Sequence, residues 1–212
     1  MYQTSGSTLM PLTEVQSWKR LAVLPEQTVL QSLEIEFPEV RGATRFLVVW
    51  FDGDKKLGTV PVNVYPTGLL KPLAVLAGTK PLGVIDPEGR LQSALAGFQM
   101  DQLKEAEDVT SAETRLILIA PMSPESIPAG IASALKKKAS DGCAVVWIQP
   151  ATGRQPELLP DAYVVNEGAG KIVVASASTI AGLQDSPQAQ LNLVRLAELA
   201  AGHKQLELPN AP

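Results

Sequence analysis

The sequence contains one cysteine, Cys143, and one histidine, His203, among its 212 residues. A zinc site built from several Cys or His ligands needs more of these residues, and a Cys–His nucleophilic pair needs both close together. A single cysteine also excludes an internal disulfide bond. The scarcity of both residue types argues against zinc sites of this kind and against Cys–His nucleophilic pairs. We predict no metal and no cofactor.

Basic residues are also few, with 18 Lys and Arg against 22 Asp and Glu and a net charge of −4. Nucleic-acid binding needs clustered Lys and Arg that neutralise phosphates. The one basic run, at residues 136–138, falls at the end of a predicted helix, where cations complement the helix dipole. We therefore predict no nucleic-acid partner.

Long apolar runs and targeting signals are missing as well. No run approaches the roughly 18 apolar residues that a membrane-spanning helix needs. The first 15 residues have neither the basic segment nor the apolar segment of a signal peptide. We predict no membrane partner, while the cellular compartment stays open. A polar start followed soon by strand-like sequence suggests a part of a larger protein.

The first 66 residues have the pattern of β-strands. Residues 29–37 alternate apolar and polar side chains with a period of two, which predicts a half-buried strand. Residues 45–51 are rich in β-branched and aromatic side chains, and residues 57–65 predict the return strand. Pro61 places that strand at an edge or a bulge. Because a three-stranded meander buries little surface, residues 1–66 need a partner, and a partial immunoglobulin-like sandwich is the expected form.

After Pro66, short apolar strands alternate with helical runs, which is typical of an α/β domain. The predicted strands cover residues 81–85, 115–120 and 143–148. One predicted helix has Leu91, Ala94, Leu95 and Phe98 on one face; the next begins at Ser123-Pro124-Glu125 and buries Ile131, Leu135 and Ala139. We expect residues 67–205 to form a mostly parallel sheet with helices on both faces, with residues 206–212 as a tail.

The end of the α/β region predicts a hairpin and a final helix. Residues 162–165 and 171–176 flank the Gly-rich segment 166–170, which predicts an antiparallel hairpin with a long turn. That segment lacks the spacing of a phosphate-binding loop. Ser186-Pro187 predicts the helix start. The predicted buried face of this helix consists of Ala189, Leu193, Leu196, Ala197 and Ala200.

Cys143 has the wrong sequence context for a catalytic thiol. A nucleophile elbow has the form G-x-C-x-G after a strand, whereas Cys143 precedes a strand and is followed two residues later by Val145. Ligands in such sheets gather at the carboxyl ends of the strands, and Cys143 lies at an amino end. We predict a buried structural thiol. His203, at a predicted helix end, is expected at the surface, where it can contact terminal carbonyl groups.

Polar residues at the predicted carboxyl ends of the strands are the remaining candidates for ligand binding. They are Asp86, Gln149, Ser176 and Ser178. Asp86 is the strongest, because a carboxylate just after a strand can point into the crevice above the sheet. The preferred alternative for Asp86 is an Asp-Pro turn residue that caps the following helix. No pair of carboxylates can be nominated for glycoside cleavage, and no catalytic residue is assigned.

Four segments, residues 65–73, 83–91, 142–147 and 176–193, together resemble the C-terminal region of large multidomain bacterial glycoside hydrolases of the β-galactosidase-like family 2. The resemblance covers roughly residues 25–202. It implies the end of an immunoglobulin-like β-sandwich, followed by a flavodoxin-like domain similar to class I glutamine amidotransferases but without their nucleophile. It also implies that the catalytic carboxylates lie in a barrel domain outside this chain, and such enzymes are often exported.

Three hypotheses follow. The first is a non-catalytic accessory region of a carbohydrate-active enzyme, which packs against other domains or forms a homo-oligomer. The second is an independent module that binds a small ligand or a carbohydrate at the carboxyl ends of the strands. The third is an amidase or hydrolase of the amidotransferase-like class. The first is preferred, so we expect no enzymatic activity from this chain alone.

Overall fold

The computed structural model describes the chain except for residues 6–7, 13–24, 29, 31, 33, 123–126, 128, 151–161 and 203–212. The chain divides into two compact units, Met1–Thr67 and Gly68–Pro212. Each unit has its own sheet. In the described residues, no helix is long and apolar enough to cross a membrane.

The first unit contains a four-stranded antiparallel sheet with the order β2-β1-β3-β4. Its strands are β1 (Tyr2–Ser5), β2 (Thr8–Pro11), β3 (Thr44–Asp52) and β4 (Lys55–Val64). The hairpin of β3 and β4 confirms the two strands predicted over residues 45–51 and 57–65. Pro61 lies in the edge strand β4, as predicted, where a residue without an N–H group is tolerated.

The predicted strand over residues 29–37 is wrong for its described residues, which lie outside any strand. Strand β3 pairs with β4 along its whole length, and on its other side β1 pairs with it at Phe46 and Leu47. The segment instead contributes side chains: the rings of Phe37 and Phe46 pack with centroids 5.3 Å apart and tilted by 58°. The alternating pattern thus reflects a half-buried segment without a strand ladder. The hairpin β1–β2 was not predicted.

The second unit contains a six-stranded sheet with the order β6-β5-β7-β8-β10-β9. Its strands are β5 (Leu82–Ile85), β6 (Met100–Gln102), β7 (Leu116–Ile119), β8 (Ala144–Gln149), β9 (Ala162–Glu167) and β10 (Gly170–Ser176). All neighbours are parallel except β9, which is antiparallel to β10. The mostly parallel sheet confirms the α/β fold class, and β5, β7 and β8 confirm the three predicted strands.

Helices cover both faces of this sheet, as predicted for buried parallel strands. The helices are α1 (Lys71–Ala77), α2 (Ala106–Ser111), α3 (Ile131–Ser140) and α4 (Pro187–Ala200). Side chains of α1 and α4 form one apolar cluster with Leu116 and Leu118 of β7. Side chains of α2 and α3 form the other with Ile117 and Ile119. Alternation along one strand therefore divides its side chains between two cores.

The final helix has the predicted start and the predicted buried face. Ser186 Oγ accepts a hydrogen bond from the Ala189 N–H at 3.3 Å, and Pro187 occupies the first turn. All five predicted core residues of α4 are buried. Helix α3 likewise buries Ile131, Leu135 and Ala139, although it begins at Ile131. The predicted start at residues 123–125 lies outside the described residues.

The predicted helix over residues 91–98 is wrong, because this segment is a series of turns. The N–H groups of Arg90, Leu91 and Gln92 donate to the carboxylate of Asp86. Leu91 and Leu95 are still buried, so the apolar spacing indicated the core-facing residues correctly. Strand β6 and helix α2 were not predicted, since three and six residues are too few to show a period.

The hairpin of β9 and β10 is antiparallel as predicted, but its turn is shorter. Glu167 pairs with Gly170, which leaves Gly168 and Ala169 in the turn. Gly168 has a φ of 55°, and the Ala169 N–H donates to Ser140 O at 3.2 Å at the end of α3. Backbone carbonyl groups approach Gly170 more closely still. A Cβ added there would clash with Ala139 O and would lie 2.8 Å from Cys143 O.

We expect the substitution Gly170→Ala to lower the free energy of unfolding by about 1–3 kcal/mol, because the methyl group has only backbone carbonyls to displace. Gly97→Ala is the matched control, since a Cβ at Gly97 meets nothing within 4 Å. The control should change stability by less than about 1 kcal/mol. Urea unfolding followed by circular dichroism measures both. Equal stabilities of the two variants would contradict the close packing of the hairpin on α3.

Candidate functional site

The carboxyl ends of the parallel strands meet at one edge of the six-stranded sheet, where a cleft of about 370 Å³ opens. The segment after β5, the residues after β7, and the segment after β10 line this cleft. Its apolar lining consists of Leu91, Pro121, Ile180 and Leu183, together with small residues. Its polar lining consists of Arg90, Gln184 and Asp185.

Asp86 directly follows β5, but its carboxylate is engaged with the backbone. Oδ1 accepts from the Arg90 N–H at 2.8 Å, and Oδ2 accepts from Leu91 at 2.7 Å and Gln92 at 3.2 Å. The residue is only 6% exposed. Three N–H donors satisfy most of the acceptor capacity of a carboxylate. Asp86 therefore caps the segment after β5, as in the alternative considered from the sequence, but that segment is a series of turns and not the expected helix.

Gln149, Ser176 and Ser178 lie together at the ends of β8 and β10. Gln149 and Ser176 are register partners on neighbouring parallel strands, and Gln149 is exposed. Ser176 Oγ accepts from the Ser178 N–H at 3.4 Å and from its hydroxyl at 3.0 Å, at the start of a short 3-10 helix, Ala177–Ile180. The lining of the cleft includes the adjacent Ala177 but none of these three polar residues.

The sequence interpretation missed the polar residues that line the cleft. Arg90 is placed by its backbone, which donates to Asp86, and by Glu88, whose Oε2 accepts from Arg90 Nε at 2.8 Å. The amide Nε2 of Gln184 donates to Ser93 Oγ, which joins the segment after β10 to that after β5. The position of Arg90, just after the turn that follows β5, could have indicated it as a candidate for the site. Gln184 gave no signal, because only folding brings the two segments together.

No protein-family model matches this chain, and neither does any curated protein or solved structure. The chemistry of the site is therefore inferred from its own residues.

Cys143 lies at the opposite edge of the sheet, just before β8. It is 5% exposed, and burial raises the pKa of its thiol to about 11, while the Thr114 hydroxyl and the charge of Lys138 lower it in part. At neutral pH the thiol is protonated, and a protonated thiol is a poor nucleophile. This placement agrees with a structural thiol. His203 lies outside the described residues.

The described residues contain no group of three or more His, Cys, Asp or Glu side chains placed to hold a metal ion. At the cleft itself, a single cation, Arg90, lies beside the carboxylate of Glu88, and Asp185 is the only carboxylate in the lining. Divalent metals that prefer oxygen ligands usually bind more than one carboxylate. The arrangement is suited to hydrogen bonding with a neutral molecule.

We expect Asp86→Ala to lower the free energy of unfolding by about 1–3 kcal/mol, because the buried Leu91 N–H loses its acceptor. Asp86→Asn should cost less, since the amide retains one acceptor oxygen. Asp101→Ala is the control: Asp101 is exposed on β6, and surface substitutions usually change stability by less than about 0.5 kcal/mol. Chemical denaturation measures all three. An Asp86→Ala protein as stable as the control would contradict the capping role.

We expect the Cys143 thiol to react with an aromatic disulfide reagent about 100-fold more slowly in the folded chain than in urea at pH 8. The reason is the raised pKa, about 11 against the ordinary value of 9.0, which leaves less thiolate. The folded protein should also lose stability as the pH rises from about 9 to 11, because the unfolded chain releases the proton first. Equal rates in the folded and unfolded chains would contradict the prediction.

Proposed function

We propose that this chain is a non-catalytic accessory region of a carbohydrate-active enzyme similar to glycoside hydrolases, in which it packs against other domains. The observation that carries the proposal is an incompletely covered apolar face on the four-stranded sheet. On β3, Phe46 is fully buried and Val48 is 8% exposed. On the same face, Val60 of β4 is 48% exposed and Met10 of β2 is 53% exposed.

The strand register places these side chains on one face. Phe46 is paired with Gln3, which is paired with Met10, and Val48 is paired with Val60. Directly paired residues point to the same side of a sheet, as do residues two apart on one strand. A β-sandwich covers such a face with a second sheet. Among the described residues of this unit, Phe37 packs on Phe46, whereas Val60 and Met10 stay about half exposed, and we infer that another domain covers this part of the face.

The second unit supports a flavodoxin-like, amidotransferase-like assignment through its strand order. Without the antiparallel β9, the order β6-β5-β7-β8-β10 runs second, first, third, fourth and fifth along the chain. This is the order of flavodoxin-like sheets. The buried thiol of Cys143, at the amino end of its strand, is what we expect from a domain of this type that has no nucleophile. This observation makes an amidase the least favoured hypothesis.

Methionine oxidation tests the packing role. The protein encoded by the full reading frame and the isolated 212-residue chain are each treated with mild peroxide. The rate of oxidation of Met10 is compared between the two. We expect rapid oxidation in the isolated chain and protection of Met10 in the longer protein, because another domain covers it. Met122, which is 3% exposed, is the internal control and should be protected in both.

Two results would overturn the proposal. One is equal oxidation of Met10 in both proteins, and the other is a reading frame that encodes no catalytic barrel beside this chain. The same samples are assayed with chromogenic glycosides, a chromogenic ester and glutamine. We expect hydrolysis of glycosides by the longer protein only. Ester or glutamine hydrolysis by the isolated chain that disappears in Cys143→Ala would instead support the amidase hypothesis.

A further inference from the structure

The cleft at the carboxyl ends of the strands has a charge distribution that disfavours anionic ligands. Its one cation, Arg90, forms an ion pair with Glu88 in which Nη2 and Oε2 are 2.6 Å apart. Glu88 lies beside the cleft, and Asp185 in the lining adds a second carboxylate. One guanidinium and two carboxylates sum to a net charge of −1. A phosphate or carboxylate ligand would meet this excess negative charge, whereas a neutral ligand would not.

The same residues present both donors and acceptors of hydrogen bonds. Glu88 contacts the Nε and Nη2 atoms of Arg90, and a guanidinium carries five N–H donors in all, so other N–H groups face elsewhere. Gln184 donates through Nε2 to Ser93, while its amide oxygen is an acceptor, as is the carboxylate of Asp185. A hydroxyl group donates and accepts at once, and adjacent hydroxyls match such a mixed set.

The apolar lining supplies the complementary surface. Leu91 is 1% exposed, and Ile180 and Leu183 are each 7% exposed, so their side chains are held in the core and present only an edge to the cleft. Hydrogen bonds hold the backbone of two of them: the Leu91 N–H donates to Asp86 at 2.7 Å, and Leu183 O accepts from Gln190 at 3.1 Å. A lining held in this way loses little freedom on binding.

We propose that this cleft binds a neutral polyhydroxylated small molecule, a single sugar ring or a short polyol, through Arg90, Gln184 and Asp185. The apolar lining would contact the C–H face of the ligand. The cleft volume of about 370 Å³ is at the lower end of the range of about 300–1,000 Å³ for small-molecule sites. The proposal is independent of the accessory role, because a packing domain and a binding domain can be the same domain.

The test is a titration of the ¹⁵N-labelled 212-residue chain, followed by two-dimensional NMR. D-galactose, D-glucose and xylitol are the neutral probes, and D-glucuronate is the charged analogue. We expect saturable shifts for at least one neutral probe, with a dissociation constant of about 1–10 mM and the largest changes at Gly182, Gln184 and Asp185. Glucuronate should bind more weakly than the neutral sugar that binds.

Arg90→Gln removes the cation but keeps the backbone N–H that Asp86 holds, and its spectrum reports whether the fold is retained. We expect it to weaken binding by about tenfold, the usual effect of losing a hydrogen bond to a charged group. Arg195→Gln is the matched control, since Arg195 is exposed on α4 and does not line the cleft. It should bind like the unmodified chain.

Three results would overturn the proposal: no saturable shift with any neutral probe up to about 100 mM, tighter binding of glucuronate than of the neutral sugars, or equal affinities of the folded Arg90→Gln and Arg195→Gln proteins. Each is distinguishable from failure of the accessory role, which is read from the oxidation of Met10.

Discussion

The second unit depends on the complete burial of its central parallel strands. Every residue of β7, Leu116–Ile119, is at most 1% exposed, so neither face of this strand can be left to solvent. Helices must cover both faces, and each connection between parallel strands carries the chain back across a face of the sheet. Every parallel strand therefore starts at one edge of the sheet and ends at the other. The loops that leave the strands are therefore gathered at one edge, and the cleft forms there.

The two edges of the sheet differ in chemistry. At the amino edge, Cys143 is buried with its pKa raised, and the β9–β10 hairpin packs so closely on the end of α3 that Gly170 has no space for a side chain. At the carboxyl edge, Asp86 binds three backbone N–H groups and so orders the segment that carries Arg90. The first edge is closed by packing, while the second is ordered by hydrogen bonds and remains open.

Much of the fold could be predicted because its main elements are long or strongly apolar. Strands β5, β7 and β8 are bounded apolar runs, and α4 has both a Ser-Pro start and a helical spacing of buried residues. The failures have a common cause. In the described part of residues 29–37, the half-buried Ile35 and Phe37 alternate with exposed neighbours, and Leu91 and Leu95 are buried four residues apart, but burial periodicity does not specify the hydrogen-bond partner.

The sequence alone determined that this chain is an α/β protein with a separate β-rich start, and that Cys143 precedes its strand, because these follow from local spacing and order. The tertiary structure decided the candidate site. Arg90 and Gln184 are 94 positions apart in the sequence, and Gln184 and its hydrogen-bond partner Ser93 are 91 positions apart. No local sequence pattern can therefore bring them together. The tertiary structure also decided the role of Asp86, since a carboxylate after a strand can face a ligand or the backbone, and only the path of residues 87–92 selects between them.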